Sequence, residues 1–294
     1  MSSADYMLAN ETRSEFSLIK KAEEWSDKLF LFLQNVFHLY PEDKFHSLIL
    51  RTLDKSQIDN EIYEILLKEL SEIKPALQPF SHGLPALKVQ KEVMSSQTLE
   101  LLNGNQQING LLEIGSPGRY VSHFRQFIKL SGDVCLMNDT APGYNLPDIF
   151  ERGGLRKIGR FVPLNNYKPI PQEEIKDNSM DMVTCYIGLH HSSSVNLGRF
   201  VESIRRVLRP GGRFILRDHD ANTPDMKTFA SLIHTVFNAG LGVDWKTNST
   251  EIRNFKSITD IKKYLVDYGF KGDNRCLFQK NDPSLNALMV FTKA

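Results

Sequence analysis

Beyond residue 108 the chain alternates short apolar runs with amphipathic stretches, and no other feature narrows the choice of fold as far. Residues 111–115, 133–139, 157–164, 180–187 and 213–218 read as strands, and residues 120–130, 147–153 and 197–208 as helices between them. Strand, helix and strand in regular succession form parallel crossover units, so the pattern predicts an α/β fold around a mostly parallel sheet. The closing segment, residues 275–294, reads as two further strands joined by Asn281, Asp282 and Pro283. Such sheets take ligands at the carboxyl ends of their strands.

One of those ends has a distinctive turn, LLEIGSPGRY at residues 111–120. A glycine where a strand stops lets backbone approach a ligand closely, and the start of the next helix offers unpaired N–H groups with partial positive charge. The turn therefore suits an anionic or polar group. A P-loop needs a Gly-Lys-Ser or Gly-Lys-Thr that does not follow here, which argues against nucleoside triphosphate hydrolysis. The spacing GxGxxG of dinucleotide folds is also missing, which lowers a nicotinamide reading.

The turn, the acid-terminated strand VCLMND, the segment NSMDMVTCYIGLHH and the turn RVLRPGGRFIL succeed one another over residues 108–294. In order and approximate spacing this resembles the class I S-adenosylmethionine-dependent methyltransferases. The resemblance implies a Rossmann-like sheet with a terminal antiparallel hairpin, S-adenosylmethionine as cofactor and S-adenosylhomocysteine as product. It places Glu113 and Gly115 at the methionine end of the cofactor and makes Ser116, Pro117 and Gly118 the turn. Asp139, with Asn138 as its neighbouring alternative, would accept from both ribose hydroxyls, as one carboxylate can. Asn165 or Asn166 would read the adenine edge, and Tyr186, Ile187 and Gly188 would line the sulfonium and substrate side. The usual pattern has three glycines in this turn, whereas Pro117 and Arg119 stand at the second and third glycine places. Pro-Gly-Arg-Tyr resembles the end of GxGPGRY variants, so a loop one residue shorter is the preferred alignment.

The first 107 residues read as a helical accessory region, and residues 108–294 as the methyltransferase domain with an insertion at about 223–255. Trp25, Leu29, Leu33, Val36 and Tyr40 form one apolar stripe, and Ile58, Ile62, Ile65, Leu66 and Leu70 another. Pro75, Pro79, Gly83 and Pro85 break the pattern, as a linker or hinge would. The insertion carries His234, Asn238 and Trp245 and reads either as a substrate wall or as a packed helix pair.

Lys and Arg number 36 against 35 acids, which favours a small-molecule or protein acceptor over nucleic acid without deciding the matter. Three scattered cysteines without a CxxC pair suit a reducing cytoplasm and no zinc site. The start of the chain has no signal-peptide pattern, and the most apolar early run, residues 29–37, is about half of the ~20 residues that a membrane span requires. A soluble, cytoplasmic protein is expected.

A methyl sulfonium is already activated, so alignment and exclusion of water are the protein's main tasks, and a base is needed only where the acceptor must lose a proton. His219, Asp220 and His191 are the candidate catalytic residues, with His219 first because an imidazole titrates near neutrality. A metal at His190 and His191 would need further ligands such as Asp218, His219 or Asp220, and none is expected. The rival readings are a non-catalytic S-adenosylmethionine-binding interaction module and an aminopropyl transferase of the same fold, for which the DHD run offers only a small acidic cluster.

Overall fold

A computed structural model describes residues 14–73, 84–104, 107–156 and 158–294. The described residues fall into two compact units. One is drawn from Met1–Ala86, Ala221–Glu251 and Asn281–Ser284, the other from Leu87–Asp220, Ile252–Lys280 and Leu285–Ala294. Residues 74–83, where most of the expected linker falls, lie outside the described residues.

The first unit is helical. Helices α1 (Ser17–Lys21), α2 (Glu23–Phe32), α3 (Glu42–Lys55) and α4 (Asp59–Ile73) come from the amino-terminal stretch. Trp25, Leu29 and Leu33 are buried as their spacing predicts, but Phe37 is buried where Val36 was expected. Residues Leu33–Phe37 form a π turn, which adds a residue to the helical repeat and moves the buried stripe on by one position. Ile58 precedes α4 and is exposed, whereas Tyr63, outside the expected stripe, is buried. The segment after residue 221 forms two helices, α9 (Pro224–Gly240) and α10 (Trp245–Thr250), in this same unit. The rings of Phe229 on α9 and Trp25 on α2 lie 5.5 Å apart, and the hydroxyl of Tyr40 donates to the Gly240 carbonyl at 3.1 Å. The 223–255 segment is thus largely a packed helix pair closing on the amino-terminal helices.

The second unit begins with α5 (Leu84–Leu101), of which residues 87–101 belong to it, and contains the whole sheet. Its strands are β1 (Gln107–Ile114), β2 (Lys129–Asn138), β3 (Arg160–Pro163), β4 (Met180–Cys185), β5 (Leu208–His219), β6 (Phe270–Gly272), β7 (Leu277–Phe278) and β8 (Asn286–Lys293). They run in the order β3-β2-β1-β4-β5-β8-β6, with β7 also paired to β8. The first five pair in parallel, and β8 is antiparallel to β5, β6 and β7. The sheet is covered on both faces, which is why its strands read as nearly continuous apolar runs. Leu112 and Ile114 join a cluster with Phe200 and Ile204 of α8 (Ser194–Val207) and Ile261 and Leu265 of α11 (Ile258–Asp267). On the other face, Leu111 joins Met94 of α5 and Tyr120 and Phe124 of α6 (Arg119–Phe124).

Helix α6 ends at Phe124, short of the expected residue 130, because Lys129 and Leu130 already pair with Gln107 and Ile108 of β1. Strand β5 starts earlier than expected. Leu208 pairs with Met180, and the Pro-Gly-Gly turn is then accommodated as a register shift before Arg213 pairs with Met182. Gly211 there has a φ of 76°, the conformation that the third position of a type II turn requires.

Candidate active site

The strand order brings the ends of β3, β2, β1 and β4 side by side, and most of the predicted binding residues stand on those ends. The turn after β1 is held from below by Glu113. This carboxylate is buried, accepting from the Ser116 hydroxyl on Oε1, from the Tyr120 amide at 3.3 Å and from the Val121 amide at 2.8 Å on Oε2. Burial pushes its pKa up, opposed by the Ser116 hydroxyl and then the two amides. Ser116 Oγ accepts in turn from the Gly118 amide at 3.1 Å and the Arg119 amide at 3.0 Å. Four successive N–H groups that the sequence suggested would face a ligand are therefore engaged within the turn. The first turn of α6 is capped by side chains of the strand and turn that precede it.

Gly115 has a φ of 82°, and a Cβ there would collide with the side chain of Ile187. The glycine thus lets the β1 turn close against the segment after β4. Arg119, at the place of the family's third glycine, is turned outward to neighbouring helices. Its NH2 lies 2.8 Å from Glu151 Oε1, and its NH1 donates to Gln90 Oε1 at 2.9 Å.

Asp139 follows β2 and is exposed, while Asn138 is half-buried. Sequence reasoning missed Arg152, which steadies this region. It is buried at the end of α7 (Leu146–Arg152) and donates to the carbonyl oxygens of Gly143 at 2.7 Å, Gly154 at 3.3 Å and Leu155 at 3.5 Å. One guanidinium thereby ties together the loops on both sides of α7.

After β3, Asn165, Asn166 and Tyr167 all have positive φ, at 49°, 55° and 58°. Asparagine tolerates this left-handed region better than most side chains, which gives the Asn-Asn pair a local cause as well as its suggested contact with adenine. Both asparagines are exposed, and Asn196 donates to the Asn166 carbonyl at 3.0 Å. Tyr186, after β4, faces inward instead. Its ring lies 4.3 Å from that of Tyr120, and its hydroxyl pairs with Thr98 Oγ1 at 2.8 Å. Only its backbone, with Ile187 and Gly188, remains suited to lining a ligand.

The ends of β4 and β5 carry the histidines. His190 and Asp218 are both buried, with Nδ1 2.7 Å from Asp218 Oδ1. The carboxylate also accepts from the amides of Leu189 and His219, each at 2.8 Å. Burial, and then the nearby charges of His191 and His219, hold the His190 imidazole well below its usual range. A neutral ring that donates from Nδ1 keeps its basic lone pair on Nε2. The His191 ring packs 4.2 Å from His190, and the buried His219 ring stands edge-on to Phe255 at 5.4 Å. Asp220 accepts from the Ile258 amide at 2.9 Å and so anchors the start of α11. The sequence marked His191, His219 and Asp220 as catalytic candidates and named His190 and Asp218 only as possible metal ligands; the structure joins the latter two in a buried pair.

Residues 166–216, from the left-handed turn through β4 and α8 into β5, match the family described as a methyltransferase domain. The same fold is found in the pyocyanin biosynthetic protein PhzM, at TM-score 0.52 and 12% identity over 95% of this chain and 76% of that one. The CurJ carbon methyltransferase aligns at TM-score 0.50 and 16% identity, over 92% and 71%. The chain thus has the fold of these proteins, with a methyltransferase-domain match over residues 166–216. No curated protein matches it in sequence. A Burkholderia thailandensis 1,6-didemethyltoxoflavin-N1-methyltransferase, whose structure holds 1,6-didemethyltoxoflavin and S-adenosylhomocysteine, aligns at TM-score 0.46 and 14% identity, over 70% of this chain and 80% of that one. Because β3, β2, β1 and β4 are adjacent and parallel, the polar residues that follow them stand at one end of the sheet. Asp139 offers acceptors for hydroxyls and Asn165 and Asn166 offer amides for a base edge, a donor set that fits an adenosyl group.

Proposed function

We propose that this methyltransferase modifies a nucleophilic atom of a small molecule or a protein side chain. It would hold the cofactor's ribose through Asp139 and the adenine through Asn165 or Asn166. The observation that carries the reading is the alignment of the Gly115–Gly118 turn, Asp139, the Asn165–Asn166 turn and the Tyr186–Gly188 segment on the ends of four adjacent parallel strands. Bound S-adenosylmethionine supplies an activated methyl group. Glu113 and Ser116 keep the turn beneath it in one shape, Arg152 steadies the loops flanking α7, and backbone at 186–188 borders the reacting side. For an acceptor that must lose a proton, His219 and His191 stand at the ends of β5 and β4 and offer the basic nitrogen, with the His190–Asp218 pair packed beside them. Asp220 acts by fixing α11 rather than by taking a proton.

Calorimetric titration with S-adenosylmethionine and S-adenosylhomocysteine tests this reading, with Asp139→Ala measured in parallel. Loss of two hydroxyl contacts to a carboxylate should weaken binding by at least tenfold. Undiminished affinity in the variant would remove Asp139 from the site. No binding to the folded wild-type chain would favour a non-catalytic role.

A further inference from the structure

A cavity lies in the sheet-containing unit beside α8 and β8. It has a volume of about 660 Å³ and is lined by Arg199, Glu202, Ser203, Arg205 and Arg206 of α8 and by Lys293 of β8, among others. Four cations against one carboxylate make a strongly positive lining in a chain whose net charge is +1. Arg199, Glu202, Ser203 and Arg206 recur at i, i+3, i+4 and i+7, so they share one face of the helix. At about 1.5 Å of rise per residue, the two arginines at the ends of that row stand ~10 Å apart along the axis.

Two of the cations are fixed in place. Arg206 donates to Asp177 Oδ1 at 2.5 Å and to the carbonyls of Ile175 at 3.0 Å and Ile170 at 2.7 Å. Lys293 donates to Asn178 Oδ1 at 2.8 Å and to the Leu208 carbonyl at 2.7 Å. The other two, Arg199 and Arg205, are exposed and have no hydrogen-bond or ion-pair partner among the described residues. The charges crowd one another. The Lys293 ammonium is held below its ordinary range, first by partial burial and then by Arg205, with Asp177 opposing and Arg206 adding.

Position separates this groove from the methyl-transfer edge. Strand β8 runs antiparallel to β5, with Thr292 opposite Arg213 and Asn286 opposite His219. Lys293 therefore stands at the end of the sheet where the parallel strands begin, and the candidate active site stands where they finish.

We propose that the groove binds a small molecule carrying a diphosphate group. The guanidiniums of Arg199 and Arg205, without a partner among the described residues, offer paired N–H donors that match phosphate oxygens; they are six positions apart, about 9 Å along the axis, more than one phosphate would span, and Lys293 adds positive charge beside Arg206, whose own charge is met by Asp177. The site owes nothing to the methyl donor, so it is tested without it. Inorganic pyrophosphate and orthophosphate would be titrated by calorimetry at low ionic strength into the wild-type chain and into Arg199→Glu/Arg205→Glu. Both positions are exposed, and thermal melting would check that the variant is folded. The expected result is a single saturable pyrophosphate site, tighter than orthophosphate and weakened at least tenfold in the variant. Absence of saturable binding, equal affinity for both anions, or unchanged affinity in the folded variant would overturn the proposal.

Discussion

His190 shows how one buried side chain couples the site to pH. Its Nδ1 is committed to Asp218, and its ring packs against those of His191 and Phe255. Burial, followed by the charges of His191, His219, Arg217 and Arg253, makes protonation in the folded state unfavourable. In the unfolded chain the same imidazole takes a proton near its ordinary value of ~6.5. Below that pH the unfolded state therefore binds more protons, and folding stability falls as pH drops toward the lowered folded value. The slope contributed by this residue is at most about 1.4 kcal/mol per pH unit, and above ~6.5 it vanishes. Asp218 has the opposite tendency, since burial raises its carboxyl, and the comparison with the His190 variant separates the two. Guanidinium unfolding at pH 7.0 and 5.5 should show the loss in the wild type and a smaller one in His190→Asn. An equal loss in the variant would assign the proton to another group.

At the scale of elements, the strands and most helices could be read because their burial leaves a periodic trace in the sequence. What could not be read was set by contacts distant in sequence. The early end of α6 follows from where β1 draws Lys129 and Leu130 into the ladder, and the swap of Val36 for Phe37 follows from one π turn. The candidate site residues could be marked in the sequence because they follow strand ends. Their division of labour was not, since Asp218 lies 28 positions from His190 and Arg152 joins loops on both sides of its helix. The glycine turn was noticed for its backbone, yet its geometry is dictated by a side chain 72 positions away. Gly115→Ala would place a methyl group into Ile187 at a positive φ that alanine disfavours. Overpacking and backbone strain together should cost about 2–4 kcal/mol. Melting curves of Gly115→Ala and of Gly115→Ala/Ile187→Ala separate the two contributions, because shortening Ile187 relieves only the collision. If the single variant melts like the wild type, the turn is not packed as described.

The whole molecule offers a test of whether its two compact units are also units of stability. The helical unit joins residues about 200 positions apart, with Trp25 and Phe37 meeting Phe229 and Phe237 of α9. Phe229 is fully buried, and Phe229→Ala should destabilise that unit by about 3–5 kcal/mol through lost contacts and the cavity left behind. Both tryptophans of the chain, Trp25 and Trp245, belong to this unit, so indole fluorescence reports on it alone. The other unit holds Cys135 and Cys185, both buried, with thiols pushed up to about 12 mainly by that burial. Such thiols react only when their surroundings open. With Cys276→Ser as background to remove the partly exposed third thiol, denaturant titrations would follow fluorescence and thiol labelling on the same samples. Phe229→Ala should move the fluorescence midpoint to lower denaturant and leave the labelling midpoint of Cys135 and Cys185 nearly in place, the signature of sub-global unfolding. Equal displacement of both midpoints would mean that the chain unfolds as one cooperative block. In that case substitutions in α9 would affect the sheet-containing unit through global stability alone.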